Sequence, residues 1–165
     1  MSRPVPFAPH DHGACAAEAM ASARAACAAA GLRLTPARAR VLEILLESHV
    51  ALGAYDVLER LRQEGRPATP PVAYRALDFL VAQGFAHRIE KLNAFVACSR
   101  PGTAAGDPPA FLICRRCRKV AETSAAPAAE ALAPAAARLG FAVERTVVEV
   151  EGLCPACRAG AEAAA

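Results

Sequence analysis

The sequence predicts an α+β protein, a winged helix-turn-helix followed by a small α/β unit that gathers four cysteines. Three observations predict it. Two Thr-Pro helix starts punctuate a helix-forming N-terminal half; two short strands then flank Lys91-Leu92-Asn93; and two CxxC turns stand thirty-six residues apart.

The elements follow in order. Cys15 to Ala30 is a strong helix former that Gly31 closes. Thr35-Pro36 offers an N-cap hydroxyl and a proline at the first helical position. Val41, Ile44, Leu45 and Ser48 then share one face. Ala54 to Glu64 carries Val57, Leu58 and Leu61 to Gly65, and Thr69-Pro70-Pro71 starts a fourth helix that runs to Gly84. At ~100° per residue, its Val72, Ala76, Phe79 and Leu80 point inward and its Tyr74, Asp78 and Arg75 outward. Phe85–Glu90 and Ala94–Cys98 form the hairpin. The Pro/Gly-rich stretch 99–109 reads as a linker, dividing the chain into units 1–98 and 110–165. In the second unit Ala125–Leu139 reads as a helix and Phe141–Val150 as a strand. Residues 1–14 and the Ala-rich tail from Arg158 are expected to be mobile.

Composition excludes some functions. The 165 residues carry 19 basic and 16 acidic side chains, and the whole excess of +3 lies in residues 1–100. Of the basic residues 17 are Arg and 2 Lys, and Arg suits phosphate and base-edge recognition. No run approaches the ~18 apolar residues of a membrane helix, and the N-terminus has no secretory pattern. A cytoplasmic setting follows, in which the seven Cys meet reducing conditions and close-spaced thiols favour metal.

Cys114, Cys117, Cys154 and Cys157 form two CxxC turns of the kind that close a tetrahedral zinc site. The same four residues could instead be two redox dithiols. His87 and Cys98 on the hairpin, Asp107 in the linker and Glu122 past the first CxxC make a second, mixed set that zinc accepts. Taken singly, they also read as an ordinary histidine, a small buried hydrophobe and a turn residue. His10, His12 and Cys15 are a third set, set against a merely polar N-terminus. Cys27 is expected to pack inside the first helix. His49 lies near a helix end, where its cation would suit the dipole. No Ser/His/Asp or paired-carboxylate arrangement points to an enzyme.

Leu34-Thr35-Pro36-Ala37-Arg38, Gly53-Ala54-Tyr55-Asp56, Val72 to Leu80, Gly84 to Glu90 and Phe111 to Cys114 with its partner CxxC together resemble the ferric uptake regulator family. Tyr74-Arg75-Ala76-Leu77-Asp78-Phe79-Leu80 and Gly84-Phe85-Ala86-His87-Arg88-Ile89-Glu90 resemble its zinc uptake regulators. Iron and peroxide sensors of the family usually carry a His-rich stretch before the first CxxC, and this chain has none. The resemblance implies a homodimeric, zinc-responsive repressor of zinc-uptake genes that binds palindromic double-stranded operator DNA. It also implies a C-terminal dimerisation domain and two Zn2+ per chain. Cys114, Cys117, Cys154 and Cys157 fall on the structural zinc; His87, Cys98, Asp107 and Glu122 fall on the regulatory zinc. Tyr74 and Arg75 fall on recognition-helix positions, and Arg38 and Tyr55 are assigned to DNA with them. Asp107 stands where relatives usually have His, so Asp107, an N-terminal His or water completes the regulatory site. Arg118 stands where Gly is common. The rival readings are a same-family iron or peroxide sensor and a thiol redox protein.

Overall fold

The computed structural model describes residues 7–8, 11–66, 68–99 and 107–162. Four helices come first: α1 (His12–Ala29), α2 (Pro36–Leu46), α3 (Ala54–Gln63) and α4 (Pro70–Ala82). The hairpin strands β1 (Ala86–Ile89) and β2 (Ala94–Ala97) follow. The second unit holds β3 (Pro109–Cys114), β4 (Val120–Ser124), α5 (Ala126–Arg138), β5 (Val148–Gly152) and α6 (Pro155–Glu162). Among the described residues no helix is long and apolar enough to cross a membrane.

Local chemistry explains the boundaries. Asp11 starts α1 three residues earlier than expected, because its carboxylate accepts the Ala14 amide at 3.1 Å. Thr35 accepts the Arg38 amide at 3.4 Å, with Pro36 opening α2. Gly84 ends α4 at φ 72, a left-handed turn that sends the chain into β1. The inward face of α4 is Ala73, Ala76, Leu77 and Leu80, with Val72 and Phe79 half-buried beside it. Ala76, Leu77, Leu80 and Phe79 meet Val41, Leu42, Ile44 and Leu45 of α2 and Val57 and Leu61 of α3 in the first core. Cys27 is buried, as expected.

The hairpin pairs Ala86 with Ala97 through Ile89 with Ala94. In the second sheet β3 is central, antiparallel to β4 and parallel to β5. The β5 strand is shorter than Phe141–Val150. Its pairing with β3 begins at Ala110 opposite Val148, so residues 141–147 run past the end of β3 and have no strand to join. Pro109, placed in the linker by composition, is the first residue of β3, a position where its missing N–H is tolerated. Arg158–Glu162 continue α6: Pro155 opens that helix, and Arg158 donates to the Cys154 carbonyl at 2.9 Å. Alanine is the strongest helix former, and the cysteine turn supplies the start that propensity lacks.

A second core joins the hairpin to the second sheet. Ala51, Ile89, Ala94 and Val96 pack against Phe111, Ile113 and Val120. Burial of a large apolar side chain contributes about 1.5–3 kcal/mol, so this junction is substantial without being irreversible. Polar links surround it. Leu52 and Phe95 exchange backbone hydrogen bonds of 2.9 and 2.7 Å, and Val120 donates to the His49 carbonyl at 2.8 Å. The Glu149 carboxylate of β5 accepts the amides of Glu90 and Lys91 at 2.7 and 3.0 Å, capping the hairpin turn.

Candidate metal centres and nucleic-acid face

The first CxxC turn follows β3, whose last residue is Cys114; β5, running parallel to β3, brings Cys154 beside it. The four sulfurs of Cys114, Cys117, Cys154 and Cys157 lie within 4.8 Å of one another, and Cys117 and Cys154 are 3.7 Å apart. A tetrahedron of ~2.3 Å Zn–S bonds has edges of roughly 3.8 Å, so four sulfurs at this spacing fit zinc. All seven cysteines are free thiols. Burial pushes the Cys114 thiol up, but backbone donors of Cys154, Cys117 and Arg116 outweigh it and hold it at about 6. Its neighbours, Cys154 foremost, push Cys157 up to about 12. Four sulfurs so close cannot all ionise without a cation among them, which is the property of a metal site.

The second centre lies on the junction. His87 on β1, Cys98 one residue past β2 and Glu122 on β4 bring one ligand atom each within 4.8 Å of the others. The Glu122 side chain is 7% exposed. Its Oε2 accepts the amide and hydroxyl of Ser99 at 2.9 and 3.2 Å, which leaves Oε1 directed at His87. Glu122 Oε1 is 3.2 Å from His87 Nε2, yet the shielded Nε2 makes no aligned hydrogen bond. Within reach but misaligned, these atoms are placed to face a common centre rather than to pair. Burial opposes charge on both groups. Cys98 and Glu122 nonetheless raise the imidazole to about 9, and His87 and Ser99 hold the carboxyl below its ordinary range. Phe111, opposite Glu122 in the sheet register, sits with its ring 5.1 Å from that of His87 and closes the site from the core side.

Asp107 stands apart from these three in the structure. Its Oδ1 accepts the Ser124 hydroxyl, because the Ala125 amide binds the Pro108 carbonyl at 2.7 Å and holds the segment at the far end of β4. Ser124 is two residues from Glu122, on the same face of the strand. Ser99 is the residue that sequence reasoning missed; nothing but its position next to Cys98 could have marked it.

At the third set, His12 and Cys15 come together as expected, but with His49; His10 lies outside the described residues. On the helical face, Tyr74, Arg75 and Asp78 are exposed on α4 as expected, and Tyr55 is 72% exposed at the start of α3. Arg38 is held instead of free. Its guanidinium lies 3.6 Å from the centre of the Phe79 ring and donates to the Arg33 carbonyl at 2.7 Å. Phe79 is one turn from Arg75, so Arg38 stands on the side of α4 that carries Arg75.

On the outer face of the second sheet, Leu112 and Val150 pair in register at 40% and 47% exposure. The α5 helix buries no residue, and Leu132, Leu139 and Phe141 are exposed.

The sequence pattern of the ferric uptake regulator family matches residues 29–151. The zinc uptake regulation protein of Escherichia coli (strain K12) is 41% identical over 143 residues, 85% of this chain and 81% of that protein. A solved zinc uptake regulator complexed with zinc and DNA is similar at a TM-score of 0.81 and 40% identity, covering 90% of this chain and 97% of its own. Holo XcZur gives a TM-score of 0.75 at 41% identity over 87% of this chain and 99% of its own. Apo XcZur, at the same identity, gives 0.50 over 87% of this chain and 97% of its own.

Proposed function

This chain belongs to the ferric uptake regulator family, and from that premise we propose that it is a zinc-responsive repressor of zinc-uptake genes. It binds palindromic operator DNA as a zinc-loaded homodimer, in the cytoplasm, and it is a regulator rather than an enzyme. The observation that carries the reading is the meeting of His87, Cys98 and Glu122 across the junction of hairpin and second sheet. Residues 1–98 are the DNA-binding domain, 99–109 the hinge and 110–165 the dimerisation domain.

Cys114, Cys117, Cys154 and Cys157 would hold a structural zinc. His87, Cys98 and Glu122 would hold the regulatory one, with Asp107 completing the set by turning from Ser124. Bound zinc supplies a divalent charge and tetrahedral directionality. The residues do the rest. His87 and Cys98 belong to the hairpin and Glu122 to the second sheet, so the hairpin cannot turn against the sheet without parting them. Ser99 orients the Glu122 carboxylate toward that shared centre, as outer partners of metal ligands do. The arrangement so fixed is one of several domain angles, and its population rises with occupancy. The greater likeness to holo than to apo XcZur supports this reading.

The apolar face of Leu112, Val150 and α5 would be covered by a second copy of the chain. A two-fold dimer then presents two α4 helices to successive major-groove faces. Arg75 donates to a base edge, Tyr74 makes apolar or phosphate contact, and Tyr55 reaches the backbone. Arg38, anchored on Phe79, supports the same face. The mixed nitrogen, sulfur and carboxylate set favours zinc over the iron of the rival sensors.

Operator binding, measured by gel shift with full-length protein, should be tight with added zinc and lost with a zinc chelator. Equal affinity in both conditions contradicts the proposal. Asp107→Ala should weaken the second zinc equivalent and spare the first; if metal content and DNA binding stay unchanged, Asp107 is not a ligand. Arg75→Ala should lose about 1–3 kcal/mol of operator discrimination per half-site, read as the ratio of specific to non-specific affinity. An unchanged ratio removes Arg75 from base readout.

A further inference from the structure

The geometry points to a third cation site, outside the two centres above: we propose that His12, Cys15 and His49 together hold a zinc ion that anchors the start of α1.

The ligands come from two elements. The Asp11 cap starts α1 so that His12 and Cys15, three apart, share one helical face. His49 lies just beyond α2, in the segment that crosses toward the second sheet. Its ring stacks on that of His12 with centroids 4.6 Å apart and an interplanar angle of 22°. One ligand atom from each of the three lies within 4.8 Å of the other two. All three residues are half-buried, and both ring nitrogens of His12 are shielded from solvent. Two imidazoles and a thiolate are a zinc donor set, with bonds of ~2.0–2.3 Å that place donors roughly 3.3–3.6 Å apart. Small side-chain rotations reach that spacing. Three protein ligands leave the fourth position to water, the pattern of an exchangeable site.

The place explains the use. The buried residues of α1 are Ala23 and Cys27, both in its second half. Full burial is therefore confined to the far half of the helix, Ala16, Ala19 and Met20 packing only partly buried against the core, and a metal bridge to His49 would fasten the first turn. His49 is itself part of a strap: its carbonyl accepts the Val120 amide, Val50 pairs with Lys119, and Ala51 donates to the Arg118 carbonyl at 3.1 Å. Lys119 and Arg118 directly follow Cys117. The third ion thus ties α1 to the strap that joins the helices to the second sheet. His12 and Cys15 precede the family-matched residues 29–151, and His49 falls within them.

The test uses reduced, metal-free, full-length protein titrated with zinc alone against a chromogenic chelator. Cys15→Ser and His49→Gln, each with wild-type circular dichroism, should bind one equivalent per chain fewer than wild type. With cobalt as probe, Cys15→Ser should lose part of the thiolate-to-cobalt absorption. The same difference should persist in a Cys98→Ser background, which separates this site from the regulatory one and leaves the operator reading untouched if it fails. Counts equal to wild type in both variants overturn the proposal, whatever the total.

Discussion

Three ligand atoms on two structural units face one point at the junction of hairpin and second sheet, and the rest of the fold depends on how firmly they are held there. The hairpin supplies His87 and Cys98, the sheet supplies Glu122, and Ser99 fixes the carboxylate from behind. Without a cation His87 and Glu122 already favour each other's charge against the burial that opposes it, His87 raised to about 9 and Glu122 held below its ordinary range. With one, each donor gains a partner that the other two cannot provide. Moving a two-state equilibrium from 1:99 to 99:1 requires about 5.5 kcal/mol of differential binding. A mixed zinc site can supply that much, since structural zinc peptides reach ~10–16 kcal/mol. The apolar cluster around Phe111 and Ile89 works in the same direction but at comparable size. A junction balanced in this range is one that metal can tip.

The charge distribution constrains DNA binding in the same spirit. The first hundred residues hold the whole +3 excess, but some of their Arg is paired internally. Arg40 lies against Glu43, Glu47 and Glu64, Arg60 against Glu47, and Arg66 against Glu64. Exposed pairs of this kind contribute little to stability, yet they offset charge in the field that would draw in phosphate. In the function proposed above, affinity then rests on a few placed side chains, Arg75 and Tyr74 foremost, repeated by a second copy. Dimerisation matters more than bulk charge, which is why the uncovered Leu112–Val150 face is as much a part of the binding account as α4.

Much of this was legible in the residues themselves. Thr-Pro starts and glycine stops gave the helices because capping is local, and the CxxC spacing gave the four-sulfur group because two turns suffice to close it. His87, Cys98 and Glu122 were legible with Asp107 as a mixed donor set, but only the family resemblance favoured it over the bland readings, since their meeting depends on a junction that no local pattern describes. The partner that Asp107 meets, Ser124, was not legible, because one backbone hydrogen bond, Ala125 to Pro108, decides which residue of β4 lies beside it. His49 was read as a helix-end cation; its stacking on His12 arises from how α1 lies on α2, which periodicity does not reveal. The strand after Phe141 was drawn too long because alternation marks a strand's faces but not whether a neighbour exists to pair with it.

Hydrogen exchange tests the central claim most directly. Full-length protein carrying only the four-cysteine zinc would be compared with the same protein given the metal for the junction. The account predicts that peptides covering β1, β2, Ser99 and β4 gain protection together, while the core of α2, α3 and α4 is unchanged. No change at the junction, or a change confined to the helices, would contradict it.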